Sequence, residues 1–291
     1  MATPTTILSW NTGKKKTTLI QNSIKELVEE HNFDIIVLQE CLGPYVNALL
    51  DASYDELNFG LSGIDKRVRI FLKKEMFLKY DIDAAFNSKA VFAKLERIGS
   101  KDTFNLIAVH LYSKAGNSER EQLWKNLPFV GKIEDWEDRL GRNKRTVLIG
   151  DFNYNPYDPD MLDSQVFNSL DNRSLITIFN KFNPQKEQLT KEYWYNPMWN
   201  LLGDFDYKQN KQKLASGTFF YNNAAPIPYW NMLDGVLLRP ALMNDIDFMN
   251  TDVLTKTNTT EFLKPLITRK NESIIQDDLS DHLPIKITIN L

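Results

Sequence analysis

Thr146-Val147-Leu148-Ile149-Gly150-Asp151-Phe152-Asn153 is a short β-branched and apolar run that breaks, at a glycine, into two polar side chains. A continuous apolar stretch of this length reads as a strand buried on both faces, as in a parallel sheet. Asp151 and Asn153, two apart on an extended segment, share one side and suit joint work on a single water. Alone, the pair would more simply mark a turn, because Asx residues favour turns.

The same design recurs toward the amino terminus. Residues 6–11 read as a strand, and residues 17–31 as a helix carrying Ile20, Ile24, Leu27 and Val28 at helical spacing. Residues 35–38 form a second buried strand that ends in Gln39-Glu40. This strand–helix–strand unit brings Asn11 and Glu40 to one rim of a sheet. Further strands are expected over residues 68–73, 90–98, 104–111, 233–238 and 283–291, the last alternating Leu283, Ile285, Ile287 and Ile289 with polar neighbours. A helix is expected over residues 118–140, interrupted near Pro128 and Gly131, while 180–216 and 244–279 read as surface excursions. With no repeat and no linker, strands and helices along the whole length predict one α/β domain over residues 1–291.

Composition narrows the function. The 291 residues are 42% hydrophobic and 25% charged with a net charge of −3, which suits a globular core. That charge excludes a protein held to DNA by bulk positive charge and leaves a local basic groove open. Cys41 is the single cysteine, so neither an intrachain disulfide nor a four-cysteine zinc site can form. No apolar run approaches the roughly 20 residues that span a bilayer, and the start lacks a signal-peptide pattern. A soluble, cytoplasmic protein is the expectation.

Apolar strands repeatedly end in carboxylates, amides and histidines: Asn11, Glu40, His110, Asp151 with Asn153, Asp234, and Asp281 with His282. Such groups are costly to bury unpaired, and core packing does not demand them. The motifs Ser9-Trp10-Asn11, Leu38-Gln39-Glu40, Val109-His110-Leu111, Gly150-Asp151-Phe152-Asn153, Leu233-Asp234-Gly235 and Ser280-Asp281-His282-Leu283-Pro284 follow one another in this order. Together they resemble the endonuclease/exonuclease/phosphatase superfamily, which includes DNase I-like nucleases, sphingomyelinases and inositol polyphosphate 5-phosphatases.

The resemblance implies a four-layered α/β sandwich, two packed mixed sheets flanked by helices, with the site at one end. It implies hydrolysis of phosphate esters with Mg²⁺, or Mn²⁺ as an alternative. Glu40 would bind the metal, helped by Asn11, with Asp281 beside the metal or the water. Asp151 would orient and deprotonate the attacking water, and Asn153 would position it. His110 and His282, the latter with Asp234 behind it, would contact the scissile phosphate. The chemistry of the residues agrees: Mg²⁺ takes hard oxygens and only one or two carboxylates, and an adjacent Asp raises an imidazole's pKa. Asp151, near the metal, would stay ionised.

Other motifs fall short. Thr12-Gly13-Lys14-Lys15-Lys16-Thr17 lacks the first glycine of a phosphate loop, because position 8 is Leu8. Gly60-Leu61-Ser62-Gly63 is one residue short of a nucleophile elbow, and Asp204-Phe205-Asp206 lacks the glycine of a calcium loop. All three read as turns. His31 reads as structural, and Cys41 has no basic neighbour in sequence to activate it.

Substrate is less legible. Gly150 to Tyr154 and Pro228 to Asp234 are similar to inositol 5-phosphatase signatures, but the arginines those carry are Asn155 and Gly235 here. No membrane-inserting aromatic hairpin stands out. Lys14 to Lys16, Lys66-Arg67 with Arg69, Lys114, Arg142 to Arg145 and Lys208 to Lys213 supply cations for a nucleic acid, and Tyr193-Trp194-Tyr195 with Trp199 supply rings on which bases stack. The expected activity is that of a metal-dependent nuclease, endo or exo. The alternative is a phosphatase or phosphodiesterase on a small or lipid-derived ester such as an inositol phosphate. No protein partner is indicated.

Overall fold

Side-chain alternation along the strands sorts the apolar residues into three cores. The computed structural model describes residues 4–15, 17–41, 53–57, 67–85, 88–99, 103–139, 144–182, 192–221, 230–265, 273–276 and 278–291. Within these, one sheet holds β1 (Pro4–Asn11), β2 (Ile35–Gln39), β3 (Tyr54–Glu56), β4 (Val68–Lys73), β16 (Asp252–Val253) and β19 (Ile285–Asn290), in the order β16-β19-β1-β2-β4-β3. The other holds β5 (Phe77–Ala85), β6 (Ala90–Arg97), β7 (Thr103–His110), β8 (Thr146–Asp151), β9 (Ser169–Leu170), β10 (Trp194–Tyr195) and β15 (Asp234–Leu238), in the order β5-β6-β7-β8-β15-β10-β9. Short pairs join β11 (Phe205–Asp206) to β12 (Lys211–Gln212), β13 (Phe219–Phe220) to β14 (Trp230–Asn231), and β17 (Leu263–Pro265) to β18 (Ser273–Ile275).

Ile7, Ile35, Val37 and Ile70 of the first sheet meet Val91, Leu106, Val147 and Val236 of the second in a shared core. The alternate residues Leu8, Trp10, Ile36 and Leu38 face outward, onto Ile20, Ile24 and Leu27 of α1 (Thr18–His31). Ile107, Val109, Leu148 and Leu237 face outward onto Phe129, Ile133 and Trp136 of α2 (Glu119–Arg139). The result is helix, sheet, sheet, helix: the four layers expected. Two smaller helices, α3 (Pro159–Leu162) and α4 (Arg173–Phe182), follow β8.

Several expectations need correction. α2 runs unbroken through Pro128 and Gly131. Burial of Phe129, Ile133 and Trp136 outweighs the roughly 3 kcal/mol cost of an interior proline. The stretch 180–216 is not wholly a surface excursion, because Trp194 and Tyr195 form an inner strand at 2% exposure each. Nor is 244–279: Phe262 stacks on Trp10 with ring centroids 5.5 Å apart, closing the outer face of the first sheet. Asp204-Phe205-Asp206 opens the β11–β12 hairpin and is not a simple turn. Residues 77–85, passed over in the sequence, pair along β6. Gly60 to Gly63 lie outside the described residues.

Gly150 lets both the neighbouring strand β7 and the opposite sheet come close beneath the site. Its φ is +140°, and a Cβ there would sit 2.1 Å from the Val109 carbonyl oxygen and 3.0 Å from Gln39 Nε2 of the opposite sheet. Gly150→Ala should therefore destabilise the protein by about 3 kcal/mol or more, combining overpacking with forbidden backbone geometry. An unchanged urea midpoint would show that the strands relax freely at this point.

Candidate active site

Strand ends build the site. Asn11 ends β1, Gln39 ends β2 with Glu40 next at φ +51°, His110 ends β7, and Asp151 ends β8 with Asn153 following at φ +56°. Asp234 opens β15, and Asp281-His282 lead into β19. Register then aligns three of these side chains across neighbouring strands, since His110 pairs with Asp151 in β7–β8 and Asp151 with Asp234 in β8–β15. Asp151 is the middle member of that row.

Hydrogen bonds draw in the rest. Asn11 Nδ2 donates to Asp151 Oδ2 at 2.8 Å, while its Oδ1 accepts the Gly13 N–H at 3.0 Å. Asp151 Oδ1 accepts the Asn153 N–H at 2.8 Å, and Asn153 Nδ2 donates to the Leu111 carbonyl at 3.1 Å. His282 Nδ1 is 2.7 Å from Asp234 Oδ2. Behind that pair, Trp10 Nε1 donates to the His282 carbonyl at 2.9 Å, and Ser280 Oγ accepts the His282 N–H at 3.0 Å. Ligating atoms of Asp151, Asp234 and His282 all lie within 4.8 Å of one another. His110 Nε2 stands 3.7 Å from both Glu40 Oε1 and Asp151 Oδ2. Asp281 stands apart: it is exposed, with Oδ1 against Gly13 at the rim.

Burial and charge divide the two histidines. Burial by itself pushes His282 down, but Asp234 and Asp151 outweigh it and hold the imidazole up at about 10, so it is charged at neutral pH. Burial also pushes His110 down, to about 4, against the pull of Asp151, so it is a neutral donor or acceptor. Burial, with Asp234 as a second cause, raises Asp151 above the usual carboxylate range, while His282, His110 and Asn11 pull the other way. Burial thus opposes the ionised state expected of Asp151 from its place beside a metal. Cys41 is buried and pushed up to about 11, even with Arg69 beside it, which leaves an inert thiol.

The donor set suits a hard cation. Within the Asp151–Asp234–His282 group, Asp234 is already bonded to His282, and Asp151 to Asn11 and the Asn153 N–H, so the group handles protons more naturally than a metal. Glu40 differs, since among the described residues Lys14 Nζ and His110 Nε2 both stop 3.7 Å from its Oε1, beyond hydrogen-bond length, so its carboxylate can still turn to a cation.

Some expected contacts to nucleic acid are committed elsewhere. Arg69 is buried in a fork with Glu56, with two bonds of 3.0 Å. Trp194 lies under Arg239 with the guanidinium 3.8 Å from its ring, and Tyr195 is buried, so neither offers a face to a base. Lys208 and Lys213 donate to the carbonyls of Thr251 and Leu201. Lys14 and Arg67 remain at or near the site and Lys114 pairs with Glu119 and Asp158, whereas Lys16, Lys66, Arg142 and Pro228-Tyr229 lie outside the described residues. Sequence reasoning gave no site role to Thr218, whose Oγ1 accepts the Leu233 and Asp234 N–H groups at 3.1 Å each, or to Phe219, whose ring centroid is 4.9 Å from that of His282. It also missed Lys89, a buried lysine against His110. The Gly217-Thr218 pair and a lysine opening an apolar strand were the only signals available.

The four-layered sandwich thus gathers strand ends from both sheets into one site. Residues 8–282 match the Endonuclease/Exonuclease/phosphatase family, and the chain belongs to that family. Its fold is similar to that of an endonuclease/exonuclease/phosphatase family protein from Bacteroides thetaiotaomicron, at 17% identity and a TM-score of 0.60, covering 99% of this chain and 98% of that one. It is also similar to D. rerio TDP2 complexed with single strand DNA product, at 15% identity and a TM-score of 0.57, covering 99% and 100%. A mannosyl-6-phosphatase from Bacteroides thetaiotaomicron matches at 17% identity and a TM-score of 0.58, covering 97% and 98%. No match was found among the curated proteins. At such identities the likeness carries the fold alone. Among the described residues, no helix is long and apolar enough to cross a membrane.

Proposed function

We propose that the protein is a divalent-metal-dependent phosphodiesterase that hydrolyses nucleic acid by attack of an activated water. The observation that carries this reading is the His110–Asp151–Asp234 row, with His282 locked to Asp234 at 2.7 Å. Asp151 accepts the proton of the attacking water, and its raised pKa makes it the stronger base once ionised. Asn153, held by its N–H to Asp151 and by its amide to Leu111, positions that water. His282 donates charged hydrogen bonds to a phosphoryl oxygen, and neutral His110 donates from the other side. Glu40 would hold Mg²⁺ or Mn²⁺, with Asn11 and Asp281 the further ligands that the family resemblance implies, and the bound ion would neutralise charge on the phosphate.

Nucleic acid is favoured over an inositol phosphate by the two positions where arginines are missing. Gly235 has no room for a side chain, because a Cβ would lie 2.7 Å from Met198 Cγ. Asn155 is tied to Asn231 Oδ1 at 3.0 Å and to the Met232 N–H at 2.9 Å. Lys14 and Arg67 are the cations for the strand, and the TDP2 structure with its DNA product supports a single strand. The second reading, a small phosphate ester, takes its support from the sugar phosphatase of the same fold.

The test is incubation of purified protein and Mg²⁺ with labelled single-stranded DNA, duplex DNA, RNA, inositol phosphates and mannose 6-phosphate. Cleavage confined to the small esters overturns the nuclease reading. By calorimetry, Glu40→Gln should weaken Mg²⁺ binding by about tenfold or more, at least what loss of an outer-shell partner costs. Unchanged affinity would remove Glu40 from the ligand set.

A further inference from the structure

Lys89 is 5% exposed and stands just before β6, directly opposite His110. The His110 N–H donates to the Lys89 carbonyl at 2.8 Å. The Lys89 ammonium then curls back over the same strand end. It donates to the His110 carbonyl at 3.2 Å and to the Leu111 carbonyl at 3.4 Å, 4.2 Å from the centre of the Tyr112 ring. A buried ammonium costs several kcal/mol in lost hydration, and an apolar side chain would close this edge without that cost. Packing alone therefore does not explain a lysine here.

The carbonyls it holds lead into the site. Leu111's oxygen also accepts Asn153 Nδ2 at 3.1 Å, and the Leu111 N–H donates to the Asp151 carbonyl at 2.9 Å. His110 and Asn153 thus both hang from the two peptide units that Lys89 grips. Fixing the nitrogen of the Asn153 amide also fixes the direction of its oxygen. Asp151, Glu40, Arg67 and Lys14 are the charged groups that face the ammonium, and burial, first among the causes, brings it down to about 8.

We infer that Lys89 is the positioning residue of this site: its ammonium fixes the His110–Tyr112 segment and thereby aims the His110 imidazole and the Asn153 amide at Asp151. The kinetic consequence rests on the phosphoesterase reading; the geometric one does not. Lys89→Met removes the charge and the donors while keeping the length of the side chain. With the ester found in the substrate panel, it should lower kcat about tenfold to a hundredfold, as loss of alignment does, and leave KM within about twofold. Lys89→Arg keeps charge and donors and should recover part of that loss.

The arm that needs no substrate is NMR of the apo protein. Lys89→Met should shift the Asn153 side-chain amide and the His110 ring resonances while those of His31 stay in place. In the wild-type protein the Lys89 ammonium should exchange slowly and be shifted by the Tyr112 ring, a measurement that stands even if the methionine variant does not fold. Unmoved Asn153 and His110 signals, or an ammonium exchanging at the solvent rate, overturn the inference, as does a kcat unchanged in Lys89→Met. If no phosphate ester is cleaved by the wild type but the NMR arm holds, the functional reading fails and the positioning role stands.

Discussion

Asp151→Asn should cut turnover about a thousandfold, within the range that a positioned general base supplies, while the protein still folds. Asp151 accepts on both oxygens, from Asn11 Nδ2 and from the Asn153 N–H. An asparagine keeps one acceptor and turns the other contact into a clash of two donors, besides removing the basic group. Stability will move the other way with pH. The folded-state pKa of Asp151 is raised, first by burial, so its contribution is fully present below the ordinary carboxylate pKa and is lost as pH rises through the folded value. The amide that replaces it does not titrate. Relative to the wild type, the variant should gain thermal stability as pH climbs from about 4 toward 7, around and above the ordinary Asp value. Turnover within tenfold of wild type would dismiss Asp151 as the base, and a variant that instead loses ground to wild type over that climb would dismiss its raised pKa.

Much of this architecture is legible in the chain because two periods suffice to write it. Ile35 to Leu38 is apolar throughout since both faces of β2 are covered, by the shared core and by α1. Strand ends were equally readable: Asn11, Glu40, His110, Asp151 and Asp234 each break an apolar run, and the sheet register brings such ends to one edge. What stayed hidden depends on contacts that are distant in sequence. Trp194-Tyr195 looked like exposed stacking rings because two residues are too few to show a strand period, and Trp194 is buried by a core distant in sequence and by Arg239, at the far end of β15. Pro128 looked like a breaker because propensity is local, whereas the sheet beneath α2 is not. Lys89 carries no motif; its meaning is the pair of carbonyls it reaches. Ionisation was hidden for the same reason. His110 and His282 are alike as letters, and a carboxylate 2.7 Å from the ring of His282 but not from that of His110 makes the former a cation and leaves the latter neutral.

Removing His282 is the more damaging of the two changes to the site as a whole. Asp234 is buried, its Oδ2 is held by His282 Nδ1, and its Oδ1 has no hydrogen-bond partner among the described residues. His282→Ala leaves that carboxylate buried and unpaired, which should cost about 3–5 kcal/mol near neutral pH, the usual result of breaking a buried pair from one side. Turnover should fall by about 10²–10⁴-fold, since the charged donor to the phosphate is gone. Asp234→Asn separates the two effects. It keeps a neutral hydrogen-bond partner for the ring, so the fold suffers less, but the imidazole loses the charge that holds it up. The pH dependence gives the sign. His282, raised to about 10 in the folded state, contributes stability that is complete below the ordinary histidine pKa of about 6.5 and is lost as pH rises through the folded value. The stability advantage of wild type over Asp234→Asn should accordingly shrink between about pH 7 and 10, as the Asp234-stabilised imidazolium gives up its proton. An advantage that widened over that interval would mean that a neutral ring sits beside Asp234, and that the phosphate meets no cation from this side of the cleft.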